Sequence, residues 1–545
     1  MNVAQAVGEA LAETGVADVF GLIGSGNFVV ANALVASGAR FVAARHETGA
    51  VTMADAYARV SGRLGVCTVH QGPGLTNAIT GLTEAAKSHT PLLLLAAETG
   101  TSAIRSNFRI DQANLVASVG AIPERVNDPA TAVTDALRAA RRAQVERRPV
   151  VLMMPLDVQA GDCPPPDDIS PAPVLRAVRP AADAVAEIAD RIRRARRPLI
   201  LAGRGAVLAR AGGRLERLGD LVGALLATSA VANGLFSGSP WSLGISGGFA
   251  SPLAAELIAQ ADLCLAFGAS LNMWTLRHGR LLAPNTIVVQ IDDDAGALGS
   301  HHRVDLAVVG DVGETARALL LEVQKNPSDW RTPELAARIR EGTWHKQPYE
   351  DAGTAQTIDP RTLSIALDEL LPPDRAVAVD SGHFMGYPPM YLRVQNPDAF
   401  IFTQGFQSIG LGLASAIGAA VARPERVTVA ALGDGGALMA LPEFETAARL
   451  RLPMLIVVYN DAAYSAEVHH FGPMGQPVDL VKFPDTDFAA IGRAVGLDGL
   501  TVRRRADLEP VRDWAARPMH SGLVVDAKVE PTVVASWLED AFRGH

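Results

Sequence analysis

The chain has 545 residues, 48% of them hydrophobic and 20% charged, and a formal net charge of −9. At roughly 150 residues per domain, this length predicts three or four domains. The acidic balance argues against a nucleic-acid partner, which needs clustered Lys and Arg. No apolar run approaches the ~18–20 residues that span a bilayer.

The three cysteines, Cys67, Cys163 and Cys264, are far apart and odd in number. They form neither a metal spacing nor a disulfide framework, which predicts a reducing, cytoplasmic setting. The chain opens on Val3, Ala6, Val7, Ala10 and Leu11 at helical spacing, and no signal or transit peptide is expected. Apolar runs at 19–22, 41–44, 64–69, 91–97 and 150–154 alternate with helical stretches, the pattern of a parallel α/β sheet. PLLLLAA at 91–97 has no polar alternation, as in a strand buried on both faces. Glu47, in RHETGA after the second run, opens a helix, where the dipole favours an acid. His70 and Gln71 close the third run and precede Gly72-Pro73-Gly74-Leu75-Thr76-Asn77, a tight turn by composition. A residue at a strand C-terminus beside such a turn faces the crevice of an open parallel sheet. Gln112, in DQAN, reads equally as a turn amide. Prolines 164, 165, 166, 171 and 173 form an extended linker, so a first unit closes at residue 163.

A second α/β unit is expected over 180–325, with strands at 198–202, 263–267, 286–291 and 306–309. The basic run 191–197 reads as a solvated helix end. Gly244-Ile245-Ser246-Gly247-Gly248 matches a hydrolase elbow, but with no clear strand before it a loop is expected. The glycines at 21, 24 and 26 are wrongly spaced for a dinucleotide loop. The polar segment 325–358 reads as a second linker.

The third unit, 359–545, holds the strongest signal. A strand at 376–380 ends in Ser381-Gly382-His383, whose backbone N–H groups and imidazole suit phosphate oxygens. Gln407 and Ile409 precede a helix of small residues. An apolar run at 427–432 breaks at Gly433-Asp434-Gly435-Gly436. A helical stretch with Pro442 in its first turn follows, and a second run at 454–459 stops at Asn460-Asp461. A right-handed βαβ crossover puts both turns at one sheet edge, so Asp434 and Asp461 can face one point. Glycine N–H groups, a helix start and two oxygen side chains suit a diphosphate with a hard cation such as Mg²⁺.

Here the chain resembles the thiamine-diphosphate (ThDP) enzymes, whose signature is GDG, a spacer of under thirty residues, then NN. Asn460 matches the first Asn, and Asp461 replaces the second. The resemblance implies an α/β protein of three doubly wound parallel-sheet domains: pyrimidine-binding (1–163), central (180–325) and diphosphate-binding (359–545). It implies Mg²⁺ on Asp434, Asp461 and the Ala463 carbonyl, with Gly433 to Gly436, Ser381, Gly382, His383, Asn460 and Tyr464 around the cofactor. Ile409 becomes the wedge under the bent cofactor and the Gln407 carbonyl an acceptor for its 4′-amino group. Glu47 becomes the acid that activates the aminopyrimidine. His70 matches a proton-relaying histidine of the benzoylformate-decarboxylase branch, and Gln112 a glutamine near the reacting carbons of acetolactate synthase and benzaldehyde lyase. Acetolactate synthases carry a lysine where 122–125 offers Glu124 or Arg125. The implied activity is 2-keto acid decarboxylation followed by carboligation; simple decarboxylation and acyloin lysis stay open. So does a non-catalytic binding role, and so does FAD in the central domain. A homodimer or homotetramer with sites between subunits is implied.

Overall fold

The computed structural model describes residues 1–164, 175–325, 328–517 and 521–541. Most of the expected proline linker, 165–174, lies outside them. Eighteen strands form three six-stranded sheets, and every pairing between strands is parallel.

The first sheet comprises β1 (Asp18–Gly21), β2 (Arg40–Ala43), β3 (Gly65–Val69), β4 (Leu92–Glu98), β5 (Ile122–Arg125) and β6 (Pro149–Pro155), in the order β2-β1-β3-β4-β6-β5. The second comprises β7 (Pro198–Ala202), β8 (Leu225–Thr228), β9 (Ser242–Ile245), β10 (Leu263–Phe267), β11 (Ile287–Asp292) and β12 (Leu306–Val309), in the order β12-β11-β10-β7-β8-β9. The third comprises β13 (Arg375–Val379), β14 (Phe400–Phe402), β15 (Val427–Gly433), β16 (Met454–Asn460), β17 (Asp498–Val502) and β18 (Leu523–Lys528), in the order β14-β13-β15-β16-β18-β17. The outer two sheets thus share one topology without a close sequence repeat.

Central strands lie where the apolar runs predict them, because strands buried on both faces are apolar throughout. β5 had been expected only as a source of Glu or Arg. It is an edge strand, and Pro123 is tolerated there because an edge N–H needs no ladder partner. A strand, β9, also runs directly into the GISGG stretch, where none had been expected. The Ser246 hydroxyl is nonetheless buried and donates to the Thr275 carbonyl at 2.9 Å, so it is no exposed nucleophile. The second linker is structured as well. It contains the helix Pro333–Glu341, with Leu335 and Ile339 buried, and Trp344 donates to the Phe249 carbonyl at 2.8 Å.

The outer units pack directly on each other. Helices Glu47–Ser61 and Gly412–Ala422 lie in contact, and Ala50, Met53, Ala54, Leu413, Ala416 and Ile417 share one core. The approach is close because Gly418 has no side chain: a Cβ there would lie 2.2 Å from the Met53 carbonyl oxygen. Among the described residues no helix is long and apolar enough to cross a membrane.

Candidate active site

Glu47 is the first residue of its helix and is buried. The helix start is set by His46, whose Nδ1 accepts the Thr48 N–H at 3.2 Å. Asn77, early in the helix Pro73–Lys87, donates its amide to Glu47 Oε2 at 3.1 Å, and its backbone carbonyl accepts the Thr48 hydroxyl. Gly74 lies against the other carboxylate oxygen, since a Cβ there would sit 3.6 Å from Oε1. The Gly72–Asn77 stretch expected as a tight turn is instead the start of the helix Pro73–Lys87, with Gly72 at its N-cap, and the acid is held against it.

His70 is half-buried at the end of β3. Its Nδ1 accepts the Gly26 N–H at 3.2 Å, so a neutral ring carries its proton on Nε2. Burial draws its pKa below the usual imidazole value, while the Glu47 charge pulls the other way. Phe108 packs edge-on against the ring at 5.1 Å. Gln112 is buried with both ends of its amide engaged. Oε1 accepts the Gly72 N–H at 2.9 Å and Nε2 donates to the Ala97 carbonyl at 3.1 Å. It braces the glycine turn against the end of β4.

In the third unit, β15 and β16 pair in register with Gly433 opposite Tyr459. Asp434 is the first residue past β15 and Asp461 the first past β16, so both leave the sheet at the same edge. The helix begins at Asp434 itself, earlier than the sequence pattern suggests, so the glycines form its first turn. Burial and then the Asp461 charge push Asp434 up to about 7; burial pushes Asp461 up to about 6. The Ala463 backbone N–H acts on both carboxylates in the opposite sense, and Ser465 donates to Asp461 Oδ2 at 2.6 Å. Ala462, at φ 57°, turns the chain between them. Among the described residues no group of three or more His, Cys, Asp or Glu side chains is arranged around a metal position. Two half-buried carboxylates, both with raised proton affinity, are nevertheless a donor set that a hard divalent cation would relieve, with carbonyl and phosphate oxygens completing its shell.

Around this pair the other expected residues divide. Tyr464 leans over Gly435, where a Cβ would lie 2.3 Å from its ring, and Phe483 packs on it at 4.9 Å. Asn460 is buried and directed inward. Its amide donates to Asp526 at 2.9 Å and the Thr486 carbonyl at 3.0 Å, while Oδ1 accepts the Ala462 N–H at 3.2 Å. It holds the turn that carries Asp461. Ser381 and Gly382 follow β13, with Gly382 at φ 133°. His383 is buried; its Nε2 accepts the Ala535 N–H at 2.9 Å and its ring lies 4.6 Å from that of His469. Gln407 is exposed and holds φ 64°, a left-handed conformation uncommon outside glycine, and Ile409 is half-buried.

Three buried acids at the site carried no sequence signal. Asp380, pushed up to about 6 by burial, accepts the N–H groups of Ser381 at 2.9 Å, Gly410 at 2.9 Å and Leu411 at 3.2 Å. Glu84 and Glu443 lie inside helices, where a charge ordinarily reads as a solvated face, yet both are buried. Within the described contacts Glu47 touches only the first unit, while Asp434 and Asp461 touch only the third.

Comparison with known proteins agrees with this arrangement. Residues 1–116 match the thiamine pyrophosphate enzyme N-terminal TPP binding domain, 185–319 the central domain and 380–526 the C-terminal TPP binding domain. A probable 2-ketoarginine decarboxylase of Pseudomonas aeruginosa is 31% identical, over 96% of this chain and 93% of that protein. A sulfoacetaldehyde acetyltransferase of Castellaniella defragrans is 28% identical over 94% and 90%. The acetolactate synthase large subunit of Parasynechococcus marenigrum is 29% identical over 94% and 85%. With three domain matches in the family's order and relatives aligned along nearly its whole length, this chain belongs to the thiamine pyrophosphate enzymes, which make and break carbon–carbon bonds.

Proposed function

We propose that the protein decarboxylates a 2-keto acid and joins the remaining fragment to a second carbonyl. The observation that carries this reading is the buried Glu47 side chain, held by Asn77 near His70. When bound, ThDP supplies the carbon nucleophile and the electron sink. Glu47 exchanges a proton with the aminopyrimidine N1′, and burial at a helix start keeps competing water from its carboxylate. His70, with its proton on Nε2, hands protons to and from the substrate oxygen. Gln112 keeps the glycine turn in place. Asp434, Asp461 and the Ala463 carbonyl hold Mg²⁺. The Gly433 to Gly436 turn, Ser381, Gly382, His383 and Tyr464 surround the diphosphate, and Asn460 holds their turn. Gln407 and Ile409 meet the ring side.

In this reading residues 1–163 bind the pyrimidine, 359–545 the diphosphate, and 180–325 support both, with FAD left open. The two acid groups make no contact within one chain, and Ile23, Phe28, Phe406, Met439 and Leu441 are exposed apolar side chains of the two outer units. Both facts support a homodimer whose sites form between subunits. A second reading, plain decarboxylation with a proton in place of the second carbonyl, is favoured by His70 alone. A panel of 2-keto acids, alone and with aldehyde acceptors, separates them. CO₂ with a ligated hydroxy ketone supports ligation, and CO₂ with free aldehyde supports the second reading. Release of no CO₂ from any member, with ThDP and Mg²⁺ supplied, rejects both.

A further inference from the structure

The two buried glutamates without a sequence signal occupy equivalent places. Glu84 lies in the helix Pro73–Lys87 of the β3–β4 crossover, and Glu443 in Pro442–Leu450, the second helix of the β15–β16 crossover. β3 and β15 hold the same position in the shared strand order. Each glutamate reaches across to the other unit and grips the loop after that unit's edge strand, β14 for one and β2 for the other. Glu84 accepts the Gly405 N–H at 3.1 Å and the Phe406 N–H at 2.7 Å. Glu443 accepts the Arg45 N–H at 3.1 Å and the His46 N–H at 3.0 Å.

Both carboxylates are tethered in their own unit. Glu84 receives Arg59 at 3.1 Å and the Ser88 hydroxyl at 3.0 Å; Glu443 receives the Thr446 hydroxyl at 2.6 Å. Both grips need a glycine for clearance. A Cβ on Gly405 would lie 2.6 Å from Ser88 Oγ, and one on Gly49 would lie 2.4 Å from Glu443 Oε1. The gripped loops lead straight into Gln407 and Glu47. The first of these loops has little other support, since Gly405, Phe406 and Gln407 are exposed and Gln407 is held left-handed. Its far end is tied by Asp380 through Gly410.

We infer that Glu84 and Glu443 form a reciprocal clasp of positioning residues, each presetting the site loop of the opposite unit before any cofactor arrives. The roles of Gln407 and Glu47 at the end of those loops rest on the function proposed above; the clasp itself does not. The test is amide hydrogen exchange on the cofactor-free full chain. Glu84→Gln should speed exchange at Gly405 and Phe406 by about tenfold, the loss of a charge-assisted hydrogen bond, and leave Arg45 and His46 unchanged. Glu443→Gln should do the converse. Unchanged exchange at the gripped loop, or an equal rise at both loops, overturns the inference. If Glu84→Gln does not fold because Arg59 loses one of its two buried carboxylate partners, Glu84→Asp, which keeps the charge and draws it back from the loop, reads the same amides. As a second readout, both variants should hold Mg²⁺ with inorganic pyrophosphate within about twofold of the parent and bind ThDP about tenfold more weakly. A parallel loss for both ligands would mark a merely structural role. Failure of the unmodified chain to bind ThDP rejects the function and leaves the exchange result standing.

Discussion

At the scale of single residues, the departure that matters most is Asp461. It puts a second half-buried carboxylate near Asp434, and the pKa of each is raised. Without a cation the pair costs stability, because two like charges share a site with little water. Asp461→Asn keeps an oxygen for the metal and an acceptor for Ser465. The variant should therefore be more stable than the parent without cofactor, by about 1–2 kcal/mol in urea unfolding. It should also bind Mg²⁺ about tenfold more weakly by titration calorimetry with ThDP present. Equal or tighter metal binding would mean that Asp461 does not ligate. Other residues at the site act differently from what their type suggests. Gln112 and Asn460 present amides that look free in sequence, yet each is fully engaged inside the protein. A residue type names the chemistry available, and its neighbours decide whether any is left for a ligand.

At the scale of elements, two contacts set the geometry. One is the crossing of helices Glu47–Ser61 and Gly412–Ala422, where Gly418 sits under the Met53 carbonyl. Because the opposing atom is backbone, an added methyl cannot be absorbed by a rotamer change. Gly418→Ala should cost about 2–3 kcal/mol in urea unfolding, and a change below about 0.5 kcal/mol would show that the crossing is not tight. The other is the C-terminal segment, which reaches back so that the Ala535 N–H meets His383. Burial, and then the nearby His469, hold His383 down to about 3. Its folded pKa lies below the unfolded value of ~6.5, so its contribution to stability is fully present above that value. It is lost as pH falls from there toward about 3. Glutamine can still accept from Ala535 but cannot take up the proton. Between pH 7 and pH 5 the parent should therefore lose about 2 kcal/mol more in total than His383→Gln. Parallel curves would remove His383 as the cause.

At the scale of the whole molecule, Glu47 and the proposed cation ligands Asp434 and Asp461 lie in different units and share no contact among the described residues. If a partner completes each site, two inactive variants should rescue one another. Mixing Glu47→Gln with Asp434→Asn subunits after dissociation gives hybrids with one doubly altered site and one intact site. Random reassortment of dimers should restore about a quarter of the parent's rate. No regain, with hybrids verified by native mass spectrometry, would place the whole site in one chain. The shared strand order of the outer sheets places the turns after β2 and β3 of one unit in positions equivalent to those after β14 and β15 of the other.

Much of this was legible in the residues themselves. The α/β class, the buried central strands β4, β7, β10 and β16, the Glu47 helix start and the GDG turn follow from local periodicity and from glycine placement. Edge strands such as β5, β9 and β17 were not legible, because one face and one edge meet solvent and their composition is mixed. The fate of polar side chains was not legible either. Whether Glu84, Glu443, Asp380 or His383 is a surface group or a buried tether depends on partners up to several hundred residues away. Sequence by itself determined the central strands, the turns that follow them and which cofactor chemistry they suit, since these are written in short stretches. The tertiary structure alone decided which polar groups are spent holding the loops and which remain for a ligand, because only folding brings such distant partners together and removes the water that would otherwise satisfy them.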